Sequence, residues 1–365
     1  MISKACIVGQ YQKKLEELAA CPEIELTVIV PPFWRDERGV IPLERAHTQG
    51  YQLRVERLRF NGQYHLHFYP TLPRVLQELR PDLVHIDEEP YNFATFHAQR
   101  AARRIGARTL FFTWQNLWRR YPVPFSWFES SVYRHAACAI AGNADAAHVL
   151  RQKNFRGPIH VIPQFGTDPA QFQPAPHPAP RFRLGYIGRL VEEKGVEVLL
   201  RAAAELTGDW EIKILGSGPQ LNELQALARE LNIAARVQFH PPIPSREIPA
   251  FYQQLDVLVL ASRTRANWKE QFGRVLVEAM ASGVPVIGST CGEIPNVIGD
   301  AGIIFPEDDV AALRAAMTEL RADNARRAEL SARGRARVLA HFTQKHIAAA
   351  TYAVYREILG VVHSP

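Results

Sequence analysis

The chain has 365 residues, 47% hydrophobic and 22% charged, which supports two ordinary globular domains and excludes a disordered or low-complexity protein. The net charge of +6 favours anionic ligands or anionic surfaces without requiring nucleic acid. Cys6, Cys21, Cys138 and Cys291 lack disulfide or metal spacing and read as reduced core thiols.

Residues 2–9 (ISKACIVG) read as a first buried strand ending at Gly9. An amphipathic helix follows with Leu15 and Leu18 inward, then a second strand over 25–32. Strand, helix, strand in that order argues for a parallel sheet with crossover helices. Residues 35–70 are irregular with strand-like pieces; His65 and His67 alternate on one of these and read as surface histidines. A helix and the strand DLVHID then lead to three acids, Asp87, Glu88 and Glu89. Ligands of open α/β sheets sit outside the carboxyl ends of strands, so these acids either face a cleft or form a solvated loop.

A helix over 93–105 precedes a strand over 107–114. From Phe111 to Arg134 aromatics and arginines mix densely. That mixture fits a membrane interface or a lipid-linked acceptor, and equally a set of core aromatics with surface arginines. A further strand, a helix and the strand IHVIP complete this half. Pro174, Pro176, Pro178 and Pro180 alternate, which predicts an extended linker over 174–181 between domains 1–173 and 182–343. The second domain restarts the strand–helix alternation. The last amphipathic helix, 344–359, is expected to cross back and pack on the first domain, so 344–365 is assigned there. The N-terminus lacks the apolar length of a signal peptide, and no apolar run reaches the roughly 18 to 20 residues that span a bilayer. The expected location is the cytoplasm, with peripheral contact at the inner membrane face.

Three stretches carry chemistry. In EQFGRVLVEAMASGVP (270–285), Glu270 stands ahead of a short helix whose Val275, Leu276, Ala279 and Met280 share one face. Near Phe272 and Gly273 the first-turn N–H groups and the positive end of the helix dipole suit a phosphate or a sugar oxygen. Glu278, two turns along, is placed to hold a diol such as ribose; the plainer reading makes both acids solvated. GRLVEEKG (188–195) offers Arg189 and Lys194 at a strand end, natural counter-ions of a diphosphate. GSGP (216–219) is a tight turn and, lacking the third glycine and a later acid, weak evidence for NAD. No P-loop, HExxH, Ca²⁺ loop or GxSxG elbow occurs, so neither metal chemistry nor an activated serine has support.

Together with IPQFGTDPAQFQP (162–174), these stretches stand in the order found in family-4 glycosyltransferases, which the chain resembles over nearly its whole length, most strongly from 185 to 307. The resemblance implies an α/β protein of the GT-B fold, with two Rossmann-like domains facing across a cleft. It implies retaining, metal-independent transfer of a hexose-type sugar from a nucleotide-diphosphate sugar to a glycan, lipid-linked or small-molecule acceptor, with no cofactor. It makes Glu270, Arg189 and Lys194 catalytic. Glu278, Phe272, Gly273, Gly188, Gly218 and Gly9 are expected to bind the donor. SRTRANWKEQFGR (262–274) is longer than the family's usual link, and its Trp268 is placed to shape the sugar pocket. On the acceptor side the expected residues are Asp87 and Glu88, by their place at a strand's carboxyl end, with Gln115 and Asn116 after the next strand. Where the family often has a Gly-Gly loop, this chain has Gly9-Gln10-Tyr11; where it often has a His, the chain reads Thr113-Trp114-Gln115-Asn116. A nucleotide-sugar epimerase, a sugar phosphorylase or a non-catalytic sugar- or nucleotide-binding protein remain alternatives. The expected partners are the donor, the acceptor and a membrane touched through 111–134, with no nucleic acid.

Overall fold

The structure, a computed structural model, describes residues 1–36, 39–175 and 181–360. It divides into two compact units, Met1–Gly166 with Gln344–Pro365, and Thr167–Thr343.

The first unit contains β1 (Thr27–Val30), β2 (Phe33–Asp36), β3 (Gly39–Pro42), β4 (Gln52–Val55), β5 (Leu83–Ile86), β6 (Arg108–Thr113), β7 (Cys138–Ala141) and β8 (Ile159–Val161). Its helices are α1 (Lys13–Ala19), α2 (Leu72–Leu79), α3 (Phe93–Arg104), α4 (Phe125–His135) and α5 (Ala144–Gln152), with the final helix, Gln344–Leu359, returning to it. β1 pairs with β4, and β5 to β8 pair in sequence, all parallel. Ile2 bridges the two groups, pairing with Ile29 on one side and Ile86 on the other. The expected strand over 2–9 therefore shrinks to this one bridge. Beyond it the chain turns through short 3-10 segments at Ala5–Ile7 and Gly9–Gln12, which bury Cys6 and Ile7 in one cluster with Leu15 and Leu18. The returning helix closes the same cluster with Ala348, and Tyr355 joins it to His85 of β5 by a 2.7 Å hydrogen bond.

The second unit is one parallel sheet. It holds β9 (Phe182–Ile187), β10 (Trp210–Leu215), β11 (Val237–His240), β12 (Val257–Leu260), β13 (Val286–Ser289) and β14 (Ile303–Phe305), in the order β11-β10-β9-β12-β13-β14. Its helices are α6 (Val196–Ala204), α7 (Leu221–Glu230), α8 (Ile248–Tyr252), α9 (Arg274–Ala281), α10 (Ile294–Ile298), α11 (Val310–Ala322) and α12 (Asn324–His341); the returning helix is α13. Numbered from its own first strand the sheet runs 3-2-1-4-5-6, so the winding direction reverses between β9 and β12. A crevice opens at such a switch point because the connections on its two sides leave in opposite directions. The strands are near-continuous apolar runs, as VLVL in β12, because helices cover both faces.

The second unit begins at Thr167, ahead of the prolines. Thr167 pairs with Thr343 and its N–H donates to the Phe342 carbonyl at 2.8 Å, while Phe172 is buried in the second core. Of the expected linker 174–181, residues 176–180 lie outside the described residues, as do 361–365 of the returning segment. The Phe111–Arg134 stretch divides: Phe111, Phe112 and Phe128 are buried, whereas Trp118, Val123 and Trp127 are exposed. His65 and His67 lie on a turn and not on a strand; His67 is fully buried, beside Glu88 and the Trp34 ring. No helix among the described residues is long and apolar enough to cross a membrane.

Candidate functional site

The second unit gathers its polar groups at the switch point. After β9 the chain passes Gly188 and Arg189, makes a 3-10 turn over Glu192–Lys194 and enters α6 through Gly195. After β12 it passes Ser262 and loops to Glu270 ahead of α9. Lys194 Nζ donates to Glu270 Oε2 at 2.6 Å, and Ser262 Oγ donates to the same oxygen at 2.8 Å. Ser262 is held in turn by Ser289 Oγ on its carbonyl. The Glu270 backbone is fixed by the turn between β13 and α10: its carbonyl accepts from the Glu293 N–H at 3.1 Å, and Gly292 lies so close that a Cβ there would sit 2.2 Å from that oxygen. Both partners of the Lys194–Glu270 pair are largely buried, at 15% and 10% side-chain exposure. The Trp268 ring lies under Lys194 Nζ, 4.9 Å from its centroid, which supports the cation through the face of the indole.

Arg189 shares the strand end. Its guanidinium lies 3.7 Å from Glu193 with about half of its side chain exposed, and the buried Tyr186 hydroxyl donates to its carbonyl at 2.7 Å. Glu278 lies one turn inside α9 from Arg274. Arg274 Nε donates to Glu278 Oε1 at 2.7 Å, and the Tyr252 hydroxyl of α8 donates to Oε2 at 2.9 Å. Glu278 is thus buried and bonded, not a solvated helix acid. Gly273 caps α9 at φ +74°, a conformation that an L side chain adopts only under strain, and so turns the chain into the helix. Phe272 rests edge-on against Phe342 at 5.8 Å.

GSGP serves the packing of strand ends. A Cβ on Gly216 would lie 1.9 Å from the Gly188 carbonyl oxygen, and one on Gly218 2.3 Å from that of Leu190. The glycines let the turn after β10 press directly on the turn after β9, which fixes the backbone that carries Arg189.

The acids of the first unit are bonded too. Asp87 accepts from Ser3 Oγ at 2.6 Å and Gln164 Nε2 at 3.0 Å; burial raises its pKa. Burial alone would also raise Glu88, but the Lys4 ammonium and His67 beside it prevail and hold it at about 2. Glu89 accepts from Thr113 Oγ1 at 2.6 Å and the Trp114 N–H at 2.8 Å, and burial pushes it up to about 7. Gln115 and Asn116 follow β6 and are buried. Gln115 Oε1 accepts from Lys153, whose ammonium also bonds Glu129 at 2.6 Å and lies 4.8 Å over the Tyr121 ring. Gly9 belongs to this unit; its N–H donates to Glu44 Oε2 at 2.6 Å, and a Cβ would lie 2.7 Å from that oxygen.

The sequence therefore names the pair Lys194–Glu270, which the fold joins, and places Arg189 on the same strand end. It misses Ser262, Tyr252 and Lys153. These serve through tertiary contacts with residues 8, 26 and 38 positions away, and no local spacing announces them.

A family described as Glycosyl transferases group 1 matches residues 168–337, and a Glycosyl transferase 4-like domain matches residues 10–164. A GDP-mannose-dependent alpha-(1-6)-phosphatidylinositol monomannoside mannosyltransferase of Mycolicibacterium smegmatis is 32% identical over 259 residues, 64% of this chain and 66% of that protein. A D-inositol 3-phosphate glycosyltransferase of Xylanimonas cellulosilytica is 33% identical over 221 residues, 54% and 51% of the two. The matched part of the chain thus spans from about half to just under two thirds of these relatives. Among solved structures, sucrose-phosphate synthase from Thermosynechococcus elongatus superposes with TM-score 0.73 and 22% identity over 99% of this chain and 98% of that one. Anabaena HepE in complex with UDP gives 0.72 and 18% over 96% of each. At those identities the likeness is one of fold, and the fold is GT-B. With one glycosyltransferase family matching each unit, the chain belongs to the group 1, family-4 glycosyltransferases.

Proposed function

We propose that the protein transfers a hexose-type sugar, with retention and without a metal, from a nucleoside-diphosphate sugar to a glycan, lipid-linked or small-molecule acceptor. The observation that carries this reading is the Lys194–Glu270 pair at the switch point, with Arg189 on the same strand end. Breaking the bond between the sugar C1 and the phosphate oxygen leaves its electron pair on the diphosphate. Arg189, Lys194 and the N-terminal end of α9 at Gly273 take up that negative charge as it forms. Glu270, oriented by Ser262, accepts hydrogen bonds from donor-sugar hydroxyls, and Glu278, oriented by Tyr252 and Arg274, holds the ribose diol. The acceptor oxygen attacks C1 on the face that the diphosphate leaves, and its proton passes to the departing phosphate oxygen. Asp87, Glu88, Gln115 and Asn116 are assigned to the acceptor side. Peripheral membrane contact through 111–134 belongs to the same reading, restricted to the exposed Trp118, Val123 and Trp127.

The named relative from Mycolicibacterium uses GDP-mannose, and HepE has been solved with UDP and with UDP-glucose, so relatives support a nucleotide-sugar donor without choosing the base. Thermal unfolding with UDP, GDP, ADP and NAD, with EDTA present, tests the reading. A diphosphate at a hundred times its dissociation constant stabilises by about 2.7 kcal/mol. The expected result is stabilisation by one diphosphate, reduced in Glu278→Ala. Stabilisation by NAD alone, or by none, refutes it.

A further inference from the structure

Among the described residues, six of the thirteen exposed large apolar side chains come from two short stretches of the first unit: Phe60, Tyr64 and Leu66, and Trp118, Val123 and Trp127. They are between 38% and 81% exposed. The stretches are far apart in sequence and joined in space by aromatic rings. His65 meets Tyr121 at 6.1 Å and Phe125 at 5.3 Å between ring centroids. Phe68 meets Phe93 at 5.1 Å, and Phe96 on the next turn of α3 meets Trp127 at 4.8 Å. The exposed side chains therefore stand on a packed aromatic base.

The charged side chains of the two stretches themselves, 57–68 and 117–128, are Arg57, Arg59, Arg119 and Arg120, with no Lys, Asp or Glu among them. Arg59 adjoins Phe60, and Arg119 and Arg120 adjoin Trp118; all three are exposed. Tryptophan and tyrosine prefer the headgroup level of a bilayer, where an arginine stem lies along apolar surface and its head meets phosphate. A lipid surface carrying negative charge attracts such arginines from outside within a Debye length.

We infer that these two stretches form a single docking surface for an anionic lipid bilayer. This deepens the membrane contact of the proposed function, and the binding it describes requires no glycosyl transfer. Its partner is a membrane because the same face on a second copy would set arginines against arginines, and a symmetric dimer joins like patches. The surface also adjoins the acceptor side: His65 and Tyr121, in its base, both contact Tyr91, two residues beyond Glu89.

The test is co-sedimentation of the full chain with vesicles of phosphatidylcholine alone and of phosphatidylcholine with phosphatidylglycerol at roughly one lipid in three, which makes the surface anionic. The wild type is expected on the mixed vesicles at low salt, with binding lost on neutral vesicles or in roughly 0.5 M salt, where the Debye length is under about 5 Å. Trp118→Ser with Trp127→Ser, and separately Arg119→Glu with Arg120→Glu, should each weaken partition at least about tenfold in chains that still unfold cooperatively. Absence of wild-type binding, or binding untouched by both pairs of substitutions, overturns the inference. So does a wild-type dimer that ignores vesicles and dissolves on the tryptophan substitutions. Nucleotide-induced stabilisation measured on the same samples reports the donor reading separately, so either can fail while the other stands.

Discussion

Lys194→Ala is the most informative single change. The ammonium it removes bonds a carboxylate that is itself only 10% exposed, and the Ser262 hydroxyl also donates to the same oxygen. Removing one partner of a buried ion pair leaves a desolvated charge, which typically costs about 3–5 kcal/mol. For a unit of this size 1 kcal/mol moves the melting temperature by roughly 2–4 °C, so the second unit should melt about 6–20 °C lower. Lys194→Ala is therefore not structurally silent, and the double variant Lys194→Ala with Glu270→Ala should recover most of that loss. Turnover should behave differently. If Lys194 takes up charge on the departing diphosphate, its loss costs about 2.7–4 kcal/mol in the transition state, or roughly 10²–10³ in kcat, and the double variant stays as slow as the single. The assay is release of nucleoside diphosphate from the donor chosen by the thermal panel, below the lowered melting temperature. Turnover within about threefold of wild type in either variant would refute the assignment. Unchanged melting in Lys194→Ala would refute the buried pair.

Tyr252→Phe removes the hydroxyl that donates to Glu278 at 2.9 Å and leaves a buried carboxylate short of one partner. Calorimetry should show diphosphate binding weakened by about 1–3 kcal/mol; unaltered affinity would detach Glu278 from the donor. Gly216→Ala places a Cβ 1.9 Å from a backbone oxygen, and backbone cannot step aside as a side-chain end can. Its urea midpoint should fall sharply, and an unchanged midpoint would contradict the close approach of the two turns. Glu88 titrates at about 2 when folded against 4.5 unfolded, so its contribution is fully present above pH 4.5 and is lost as pH falls toward 2. The difference of 2.5 units corresponds to about 3 kcal/mol, and Glu88→Gln should flatten acid unfolding across that window. Glu89 has the opposite sign: held at about 7, it weakens the fold as pH rises from 4.5 through 7, and Glu89→Gln should abolish that decline.

Much of this protein is decided locally. Apolar runs, helical spacing and glycine stops mark the alternating elements, and the last helix falls over Gln344–Leu359 as its pattern predicts. The short spacings within GRLVEEKG and EQFGRVLVE put Lys194 at a strand end and Glu270 ahead of a helix, because a strand end and a helix start are properties of a few neighbouring residues. Only the tertiary structure decides that Lys194 meets Glu270 across 76 positions, that Ser262 and Tyr252 orient the two glutamates, and that Gly216 and Gly218 serve backbone packing. The strand expected over 2–9 illustrates the same division. Its apolar pattern suits a strand, yet Ser3 and Lys4 are taken by Asp87 and Glu88, 84 positions on, and the chain turns after a single bridge. The aromatic run from 111 to 134 looks uniform as a sequence, but sheet and helix packing buries Phe111, Phe112 and Phe128 and leaves Trp118 and Trp127 outside. Burial, pairing and charge balance depend on which distant residues the sheet order brings together, and local sequence carries no record of that order.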